Sequence, residues 1–268
     1  MAFPSVQTLA FIFGISGNIV SFMVFLAPLP TFYSIYKKKS SEGFKALPYP
    51  VALFSASLLL YYAFLIFNIC IISINAIGCF IEIIYLLTYL IYSTKKDKIS
   101  TLRLLLVFNV GGLGLIMAVS FLAVKGARRV TMVGWVCAAL NLAVFASPLS
   151  VMRQVIRTKS VEFMPVTLSF FLTMNATMWF FYGFFIKDFF IALPNVVGFL
   201  FGIVQITLYF VYKDAKKAVD DPNLNVEKIT KDSEMNLDVE GCNDSGNDIV
   251  IDVKIEDATH DHRQLTAV

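Results

Sequence analysis

Long stretches without a charged side chain fill the first 212 residues and restrict the fold more than any other feature. No charged residue occurs from Met1 to Tyr36, and Glu82 is the only one between Lys45 and Lys95. Runs of about 18 or more apolar residues are typical of membrane-spanning helices. A single soluble domain of 268 residues cannot bury so many apolar side chains. The pattern predicts an α-helical membrane protein and argues against a soluble enzyme, a nucleic-acid-binding protein or a disulfide-rich secreted domain.

Charged and turn-forming residues divide this apolar sequence into seven predicted spans. They are residues 5–36, 46–65, 69–93, 104–124, 131–152, 166–186 and 189–212. With the N-terminus outside, the cytosolic loops and the start of the tail carry 14 Lys and Arg residues, against four on the other side. Because basic residues near span ends favour the cytosolic side, we expect an outside N-terminus and a cytosolic C-terminus.

Residues 120 positions apart match one another across the membrane region. Many of the matched residues are Pro, Gly and Asn, which two unrelated apolar helices would not share. The pairs include Gly14/Gly134, Pro28/Pro148, Tyr62/Tyr182, Asn75/Asn195 and Gly78/Gly198. Each repeat holds three spans with the fourth span between them, so both repeats enter the membrane in the same sense. We therefore expect two parallel three-helix bundles joined by a linker helix, a 3+1+3 architecture with a site between the bundles.

This architecture divides the chain into four predicted regions. They are the first repeat (1–93), the linker helix with its loops (94–130), the second repeat (131–212) and a tail (213–268). The tail contains 14 of the 19 acidic residues and no aromatic residue. Such a segment buries too little apolar surface to fold alone, so we expect a disordered cytosolic tail.

Two asparagines at equivalent places in the third helix of each repeat, Asn75 and Asn195, are the main candidates for a binding site. An amide offers donors and an acceptor without charge, so a facing pair could bind a polyhydroxylated ligand from both sides. The alternative is that each amide ties neighbouring helices together. Polar residues recur at two more matched levels, Ser21/Asn141 and Ser55/Asn175. This recurrence favours a polar cavity over scattered helix contacts.

One tryptophan also lies well inside a predicted span. Trp179 could stack on a sugar ring, although Trp in membrane proteins is often an interfacial anchor. Its repeat equivalent is Leu59. Pro28 and Pro148 fall inside the first helix of each repeat, where the missing N–H favours bending.

Several kinds of chemistry receive no support from the sequence. Glu82 is the one acidic residue within the spans and has no acidic equivalent, since Gly202 occupies that place. We expect a structural or gating role for it rather than proton coupling. The chain has no ATP-binding phosphate loop and no nucleophile–base set. We expect passive transport, no catalysis, no cofactor and no metal.

The motifs resemble those of plant SWEET sugar transporters over residues 8–214. The matching segments are Gly14–Asn18, Ala27–Phe32, Lys39–Phe44, Asn75–Glu82, Ser147–Ser150, Arg157–Pro165 and Leu193–Gly198. SWEET proteins are themselves an example of parallel repeats. The segment Arg157–Pro165 and the long tail are most similar to the sucrose-exporting branch of this family. Leu59 departs from the Trp usual in that branch, and the turn near Asn68 is about two residues shorter than usual.

The resemblance implies roles for individual residues. Asn75 and Asn195 would bind sugar hydroxyls, and Trp179 with Leu59 would form facing walls. Other residues would shape the same pocket: Ser21, Val24, Ser55, Asn141, Val144 and Asn175. Four prolines would act as hinges near the inner gate: Pro28, Pro48, Pro148 and Pro165. Tyr62 and Asp188 would form an outer gate.

The function expected from this sequence is a bidirectional, passive sugar uniporter that moves sucrose, and also glucose or fructose, across the plasma membrane by alternating access. The alternatives are a hexose-selective carrier of the vacuolar or another internal membrane, and a weakly active or non-transporting subunit. A seven-span receptor has the same helix count, but it would not show the duplication. The expected partners are the sugar, the lipid bilayer, further copies or relatives of the chain, and a kinase or regulator at the tail.

Overall fold

The computed structural model describes residues 4–161, 164 and 166–213. These residues form helices and turns, with no strand among them. Seven helical segments in this part of the chain are long and apolar enough to cross a membrane. The predicted all-α, seven-span fold is thus confirmed. Pro165 and the predicted tail after Lys213 lie outside the described residues.

The two repeats have nearly the same helix ends, 120 residues apart. The first repeat consists of α1 (Val6–Leu26), α2 (Leu29–Lys38), α3 (Pro48–Leu65) and α4 (Ile69–Tyr92). The second repeat consists of α7 (Ala127–Val144), α8 (Ala146–Thr158), α9 (Val166–Phe185) and α10 (Phe189–Tyr212). Between them lies the linker helix, which consists of α5 (Lys95–Leu105), a π-helical segment (Leu106–Gly112) and α6 (Leu113–Leu122).

The first span of each repeat is broken into two helices near its proline. A proline nitrogen cannot bond to the carbonyl four residues earlier, so the Val24 carbonyl loses its usual donor and accepts the N–H of Ala27 at 3.1 Å instead. In the second repeat the break falls at Phe145, three residues before Pro148, where the N–H of Phe145 bonds to the Leu142 carbonyl at 3.1 Å. The prolines therefore stand next to a helix break rather than within a bent helix, which refines the sequence-based expectation.

Three-residue turns join the last two helices of each repeat. Phe67 and Lys187, the middle residues of the two turns, have φ angles of 52° and 59°. Asn68 then caps α4 by accepting the N–H of Ile71, and Asp188 caps α10 by accepting the N–H groups of Phe190 and Ile191. The turn near Asn68, which was expected to be short, therefore has the same length and conformation as its equivalent in the second repeat.

These caps provide names for the two ends of the bundle. The end at which Asn68 and Asp188 cap α4 and α10 is called the capped end. The opposite end, where Lys39 and Lys159 adopt left-handed φ angles of 54°, is called the basic end.

The linker helix begins nine residues earlier than predicted, at Lys95 instead of residue 104. Its first turn is polar and is capped by Thr94, which accepts the N–H of Asp97, so hydropathy alone did not include it. The side chain of Asn109, within the π-helical segment, donates from Nδ2 to the Pro50 carbonyl at 3.0 Å. This bond attaches the linker to α3 of the first repeat.

The repeats pack against each other through equivalent helix pairs. Helix α1 contacts α9, and α3 contacts α7. A buried cluster at this interface draws side chains from both repeats: Leu58, Tyr62, Ala63, Ile71, Ile74, Val133, Cys137, Trp179, Tyr182 and Ile191. The main apolar core therefore lies between the repeats and not within one of them.

Candidate functional site between the repeats

Two equivalent hydrogen bonds join the repeats in the middle of the membrane region. Ser21 Oγ on α1 donates to Asn175 Oδ1 on α9 at 2.6 Å. Ser55 Oγ on α3 donates to Asn141 Oδ1 on α7 at 3.3 Å. The offset of 120 converts one pair into the other, with serine and asparagine exchanged. The four polar residues that were singled out in the sequence thus lie at the shared interface of the repeats.

Trp179 lies inside the protein and not at a membrane surface. Its side chain is only 8% exposed, and its Nε1 donates to Ser21 Oγ at 2.9 Å. The indole covers Gly17, where an added Cβ would lie 3.1 Å from Cε2 of the ring. An interfacial anchor would be exposed to the lipid headgroups. The location of Trp179 therefore matches a wall of an internal site.

The equivalent position in the first repeat is packed differently. Leu59 is partly buried and packs against the cluster between the repeats, which includes Cys137. Cys137 occupies the place that corresponds to Gly17 and is 2% exposed. Gly17 with Trp179 is thus equivalent to Cys137 with Leu59. One pair combines a small and a large residue, and the other combines two residues of medium size.

Asn75 and Asn195 make the same local contact in their own helices. Asn75 Nδ2 donates to the Ile71 carbonyl at 2.8 Å, and Asn195 Nδ2 donates to the Ile191 carbonyl at 2.7 Å. Asn75 is buried and Asn195 is half-buried. Their amide oxygens accept no hydrogen bond from residues 4–161, 164 and 166–213, so the two amides are joined neither to each other nor to another helix. Their acceptors remain available to a ligand.

The helix breaks lie one turn away from these asparagines. A Cβ on Gly78 would lie 2.5 Å from Cζ of Phe25, and a Cβ on Gly198 would lie 2.9 Å from Cζ of Phe145. Positions three apart share one side of a helix, so each asparagine lies on the side that meets the end of the first helix. Val24 and Val144 directly precede these phenylalanines; Val24 is half-buried and Val144 is exposed.

Two tyrosines connect the repeats at the capped end. The hydroxyl of Tyr62 donates to Asp188 Oδ2 at 2.8 Å, the pair that the resemblance implied. The hydroxyl of Tyr182 donates to Asn68 Oδ1 at 2.7 Å, a contact that the sequence reasoning missed. The offset of 120 would have revealed it, since Tyr182 is equivalent to Tyr62 and Asn68 to Asp188.

The acceptor of the first tyrosine contact is a carboxyl group in the turn between two spans. Burial raises the pKa of Asp188 above its ordinary value, while the hydrogen bonds from Tyr62 and from the N–H groups of Ile191 and Phe190 oppose that increase. Asn68, its equivalent, cannot ionise. The two contacts therefore share a geometry but differ in the charge that their acceptor can carry.

The basic end has a different kind of contact, which stays within each repeat. Lys39 Nζ donates to the Tyr92 hydroxyl at 3.2 Å, and Lys159 Nζ donates to the Tyr212 hydroxyl at 3.0 Å. Of the predicted hinge prolines, Pro48 begins α3 and Pro148 lies in the first turn of α8. Pro165 is outside the described residues. These facts show where the prolines are and leave their hinge role a prediction.

This arrangement defines a class of membrane protein: two parallel three-helix repeats around a shared interface with polar groups at mid-depth, joined by one linker helix. A family model described as "Sugar efflux transporter for intercellular exchange" matches residues 11–97 and 131–217. These two segments together span more than half of the chain. The chain therefore belongs to the SWEET family.

Individual relatives agree with this assignment. The Petunia hybrida protein named bidirectional sugar transporter NEC1 is 61% identical over 235 residues, which cover 87% of this chain and 88% of the relative. Bidirectional sugar transporter SWEET9 of Arabidopsis thaliana is 60% identical over 216 residues, covering 80% and 84%. A solved structure of a eukaryotic SWEET transporter superposes with a TM-score of 0.74 at 33% identity, covering 78% of this chain and 99% of that one.

Proposed function

We propose that this chain is a passive, bidirectional sugar carrier that transports sucrose and also hexoses across the plasma membrane. The observation that carries the proposal is the pair of equivalent bonds Ser21–Asn175 and Asn141–Ser55 between the repeats. They place neutral hydrogen-bonding groups at mid-depth, where polar side chains are costly unless they pair or face a wet cavity. Family membership and relatives named as bidirectional sugar transporters support the same conclusion.

In this proposal the sugar binds next to Asn75 and Asn195, with Trp179 as one wall. A sugar hydroxyl can donate to each amide oxygen, and the indole can stack on the C–H face of the ring. The walls are held in place by hydrogen bonds among four residues: Ser21, Ser55, Asn141 and Asn175. Leu59, Val24 and Val144 complete them with apolar surface. None of these groups carries a charge, which suits a neutral ligand that must also be released.

The different contacts at the two ends support alternating access. We assign the capped end to the outside and the basic end to the cytosol, because Lys and Arg residues near span ends favour the cytosolic side. The contacts Tyr62–Asp188 and Tyr182–Asn68 close the outer end between the repeats, whereas the lysine contacts at the basic end stay within each repeat. Pro28, Pro48, Pro148 and Pro165 would provide the bending points for exchange between states.

The remaining parts of the proposal concern the organisation of the chain. We propose the four regions 1–93, 94–130, 131–212 and 213–268, supported by the two segments that the family model matches. We also propose assembly with further copies or relatives of the chain, and regulation of the tail by a kinase.

The test is uptake of radiolabelled sucrose and glucose by transport-deficient cells that express the wild-type chain or Asn75→Ala. We expect saturable sucrose uptake by the wild type, and at least about a tenfold loss in the variant, the scale for a lost hydrogen-bonding group at a buried site. Surface expression is quantified in parallel. Asn109→Ala, which removes a polar group outside the pocket, is the control and should keep uptake.

Each other outcome selects an alternative. Uptake of glucose but not sucrose would indicate a hexose-selective carrier of an internal membrane. No uptake at normal surface expression would indicate a non-transporting subunit. Strong stimulation by external acid would contradict the passive mechanism. Equal uptake by wild type and Asn75→Ala would return the asparagines to a purely structural role.

A further inference from the structure

A cavity of about 740 Å³ lies at the capped end, and it is called the vestibule below. Its lining includes both members of two equivalent pairs, Ile66 with Ile186 and Asn68 with Asp188. A cavity that touches both members of such pairs must lie across the pseudo-two-fold axis between the repeats. Tyr62 and Asp188, which form one of the capped-end contacts, also line it. The vestibule is therefore continuous with the proposed sugar pathway and is separated from the central site by the tyrosine contacts.

The two exposed aromatic side chains that line the vestibule, called its aromatic wall, come from the second repeat. Trp135 and Phe189 line it and are 58% and 78% exposed. Their equivalents in the first repeat are Ile15 and Ile69, which are aliphatic and do not belong to the lining. The duplicated architecture thus does not require the aromatic wall.

Hydrogen-bonding groups lie beside this wall. Asn68 uses its Oδ1 to accept the Ile71 N–H and the Tyr182 hydroxyl, while its Nδ2 donates to no residue in the described part of the chain. Lys187, which replaces the Phe67 of the first repeat, also lines the vestibule. Flat aromatic faces with amide, ammonium and carboxylate groups at their edges bind pyranose rings, whose C–H faces are apolar and whose hydroxyls point outward. The volume falls in the range of roughly 300–1,000 Å³ that is typical of small-molecule sites.

We propose that the vestibule is a second sugar-binding site, outside the tyrosine contacts, in which a sugar contacts both Trp135 and Phe189 and bonds to Asn68, Lys187 and Asp188. This inference rests on the proposed transport function, because it assumes that sugar passes the capped end. A sugar in this site is held beside the closed contacts before they open for entry, or after they have closed behind it during release. The site binds more weakly than the central one because its aromatic wall is open to solvent.

The test uses the emission of Trp135. The chain has two tryptophans, so Trp179→Phe leaves Trp135 as the only one. Adding Asn75→Ala disables the central site, so that a sugar-dependent signal reports the vestibule alone. This double variant of the full chain is purified, checked for a monodisperse profile and titrated with sucrose. Mannitol at equal concentration is the control, because it is a linear polyol without a ring to stack.

We expect a saturable change in Trp135 emission with sucrose and none with mannitol. Adding Phe189→Ala should raise the half-saturating concentration about 2- to 10-fold, the scale of one lost stacking contact. Ile69→Ala, at the equivalent position with 79% exposure, is the matched control and should change nothing. Both side chains are largely exposed, so neither substitution disturbs the packing of the bundle.

Several results would overturn the inference. A response that is linear in sucrose, that is equal for mannitol, or that is unaffected by Phe189→Ala would show that Trp135 and Phe189 are interfacial anchors in contact with lipid. A response that requires intact Asn75 would show that Trp135 reports only central binding. Sugar uptake by the wild type is measured separately. Uptake without a vestibule signal therefore rejects this inference alone, whereas absence of uptake rejects the proposed function.

Discussion

In both repeats the second membrane span, α3 or α9, ends at a three-residue turn with a left-handed middle residue. Only the second repeat, however, has a tryptophan in this span. The turns at Phe67 and Lys187 have nearly the same φ, and the glycines at 78 and 198 receive equivalent phenylalanine rings. By contrast, Trp179 corresponds to Leu59 and Gly17 to Cys137. The repeats therefore share the features that shape the backbone and differ in side chains that meet between them.

The basic ends of the repeats differ in the same way. In the first repeat Phe32 stacks on Tyr85 with ring centroids 4.3 Å apart, and the Tyr85 hydroxyl donates to the Phe25 carbonyl at the helix break, at 2.9 Å. The equivalents in the second repeat are Met152, Gln205 and Phe145. Glu82, 4% exposed, also has only Gly202 as its equivalent. An aromatic brace thus supports the break in the first repeat, so we expect the second repeat to bend more easily.

This comparison indicates why a duplicated carrier does not remain symmetric. Equivalent turns, caps and glycines let both repeats adopt the same alternative shapes. A sugar, however, has different faces and edges, so in the proposed binding mode unequal walls fit it better than identical ones. Five experiments test this comparison, and they are given in order of decreasing expected effect.

The largest effect is expected at the Trp179/Leu59 pair. Trp179→Ala should lower the free energy of unfolding by about 3 kcal/mol, since it empties a buried site and leaves Ser21 without one donor. Leu59→Ala should cost less than about 2 kcal/mol because Leu59 is only half-buried. Thermal unfolding of the purified variants measures both. Equal costs would show that the two walls are energetically alike.

The Trp179/Leu59 pair also allows a test by compensating substitutions. Leu59→Trp alone should destabilise the protein by about 1–3 kcal/mol, because Cys137 fills the space that Gly17 leaves for Trp179. Adding Cys137→Gly should recover most of the loss. Additive effects of the two substitutions would mean that positions 59 and 137 do not share space as 179 and 17 do.

A smaller effect is expected at the capped end. Tyr62→Phe removes a hydrogen bond to a carboxyl group, and Tyr182→Phe removes one to an amide. Bonds to charged groups are worth about 1.5–3 kcal/mol and neutral ones about 0.5–1.5 kcal/mol. An impermeant thiol reagent should therefore label Ile66→Cys faster in both variants, with the larger acceleration in Tyr62→Phe. The reverse order would contradict the assignment of the stronger contact to Asp188.

The serines at mid-depth should show a difference of about one hydrogen bond. Ser21 bonds to both Asn175 and Trp179, whereas Asn141 is the one partner of the Ser55 side chain within the described part of the chain. At about 0.6 kcal/mol for each such bond in a membrane protein, Ser21→Ala should cost about twice as much unfolding free energy as Ser55→Ala. Equal values would indicate that the Trp179 bond contributes nothing.

The smallest effect is expected at the lysine contacts of the basic end. Lys39 Nζ lies 3.8 Å from the centroid of Tyr36 and 5.0 Å from that of Tyr92, whereas Lys159 Nζ lies 4.7 Å from the centroid of Tyr212. An exposed cation–π contact is worth about 0.5–1 kcal/mol. Lys39→Met should therefore lower the unfolding midpoint slightly more than Lys159→Met. A larger loss for Lys159→Met would show that the ring contacts of Lys39 add no stability.

The repeat explains how much of this structure the sequence could predict. Hydropathy located all seven spans, and the offset of 120 paired residues at the helix breaks and in the candidate site, such as Pro28 with Pro148 and Asn75 with Asn195. Hydropathy could not include the polar first turn of the linker helix at Lys95, because that turn is helical through the Thr94 cap and not through burial. It also gave no sign of the π-helical segment around Asn109.

The candidate site was predictable as a set of residues but not as a set of contacts. The offset shows that Ser21 is equivalent to Asn141, but it does not show that Ser21 meets Asn175 across the interface. That contact depends on how α1 packs on α9. The Tyr182–Asn68 contact was within reach, because it follows from the Tyr62–Asp188 pair by the same offset.

The central claim is that the repeats rock against each other, so that one end closes as the other opens. Pulsed electron paramagnetic resonance can measure this with spin labels at Ile66 and Ile186 for the capped end, and at Lys39 and Lys159 for the basic end, in a background with its cysteines replaced by serine. The account predicts that sucrose shifts the two distance distributions in opposite directions, one longer and the other shorter. Distances that both lengthen, both shorten or both stay fixed while the labelled protein still transports sucrose would contradict it.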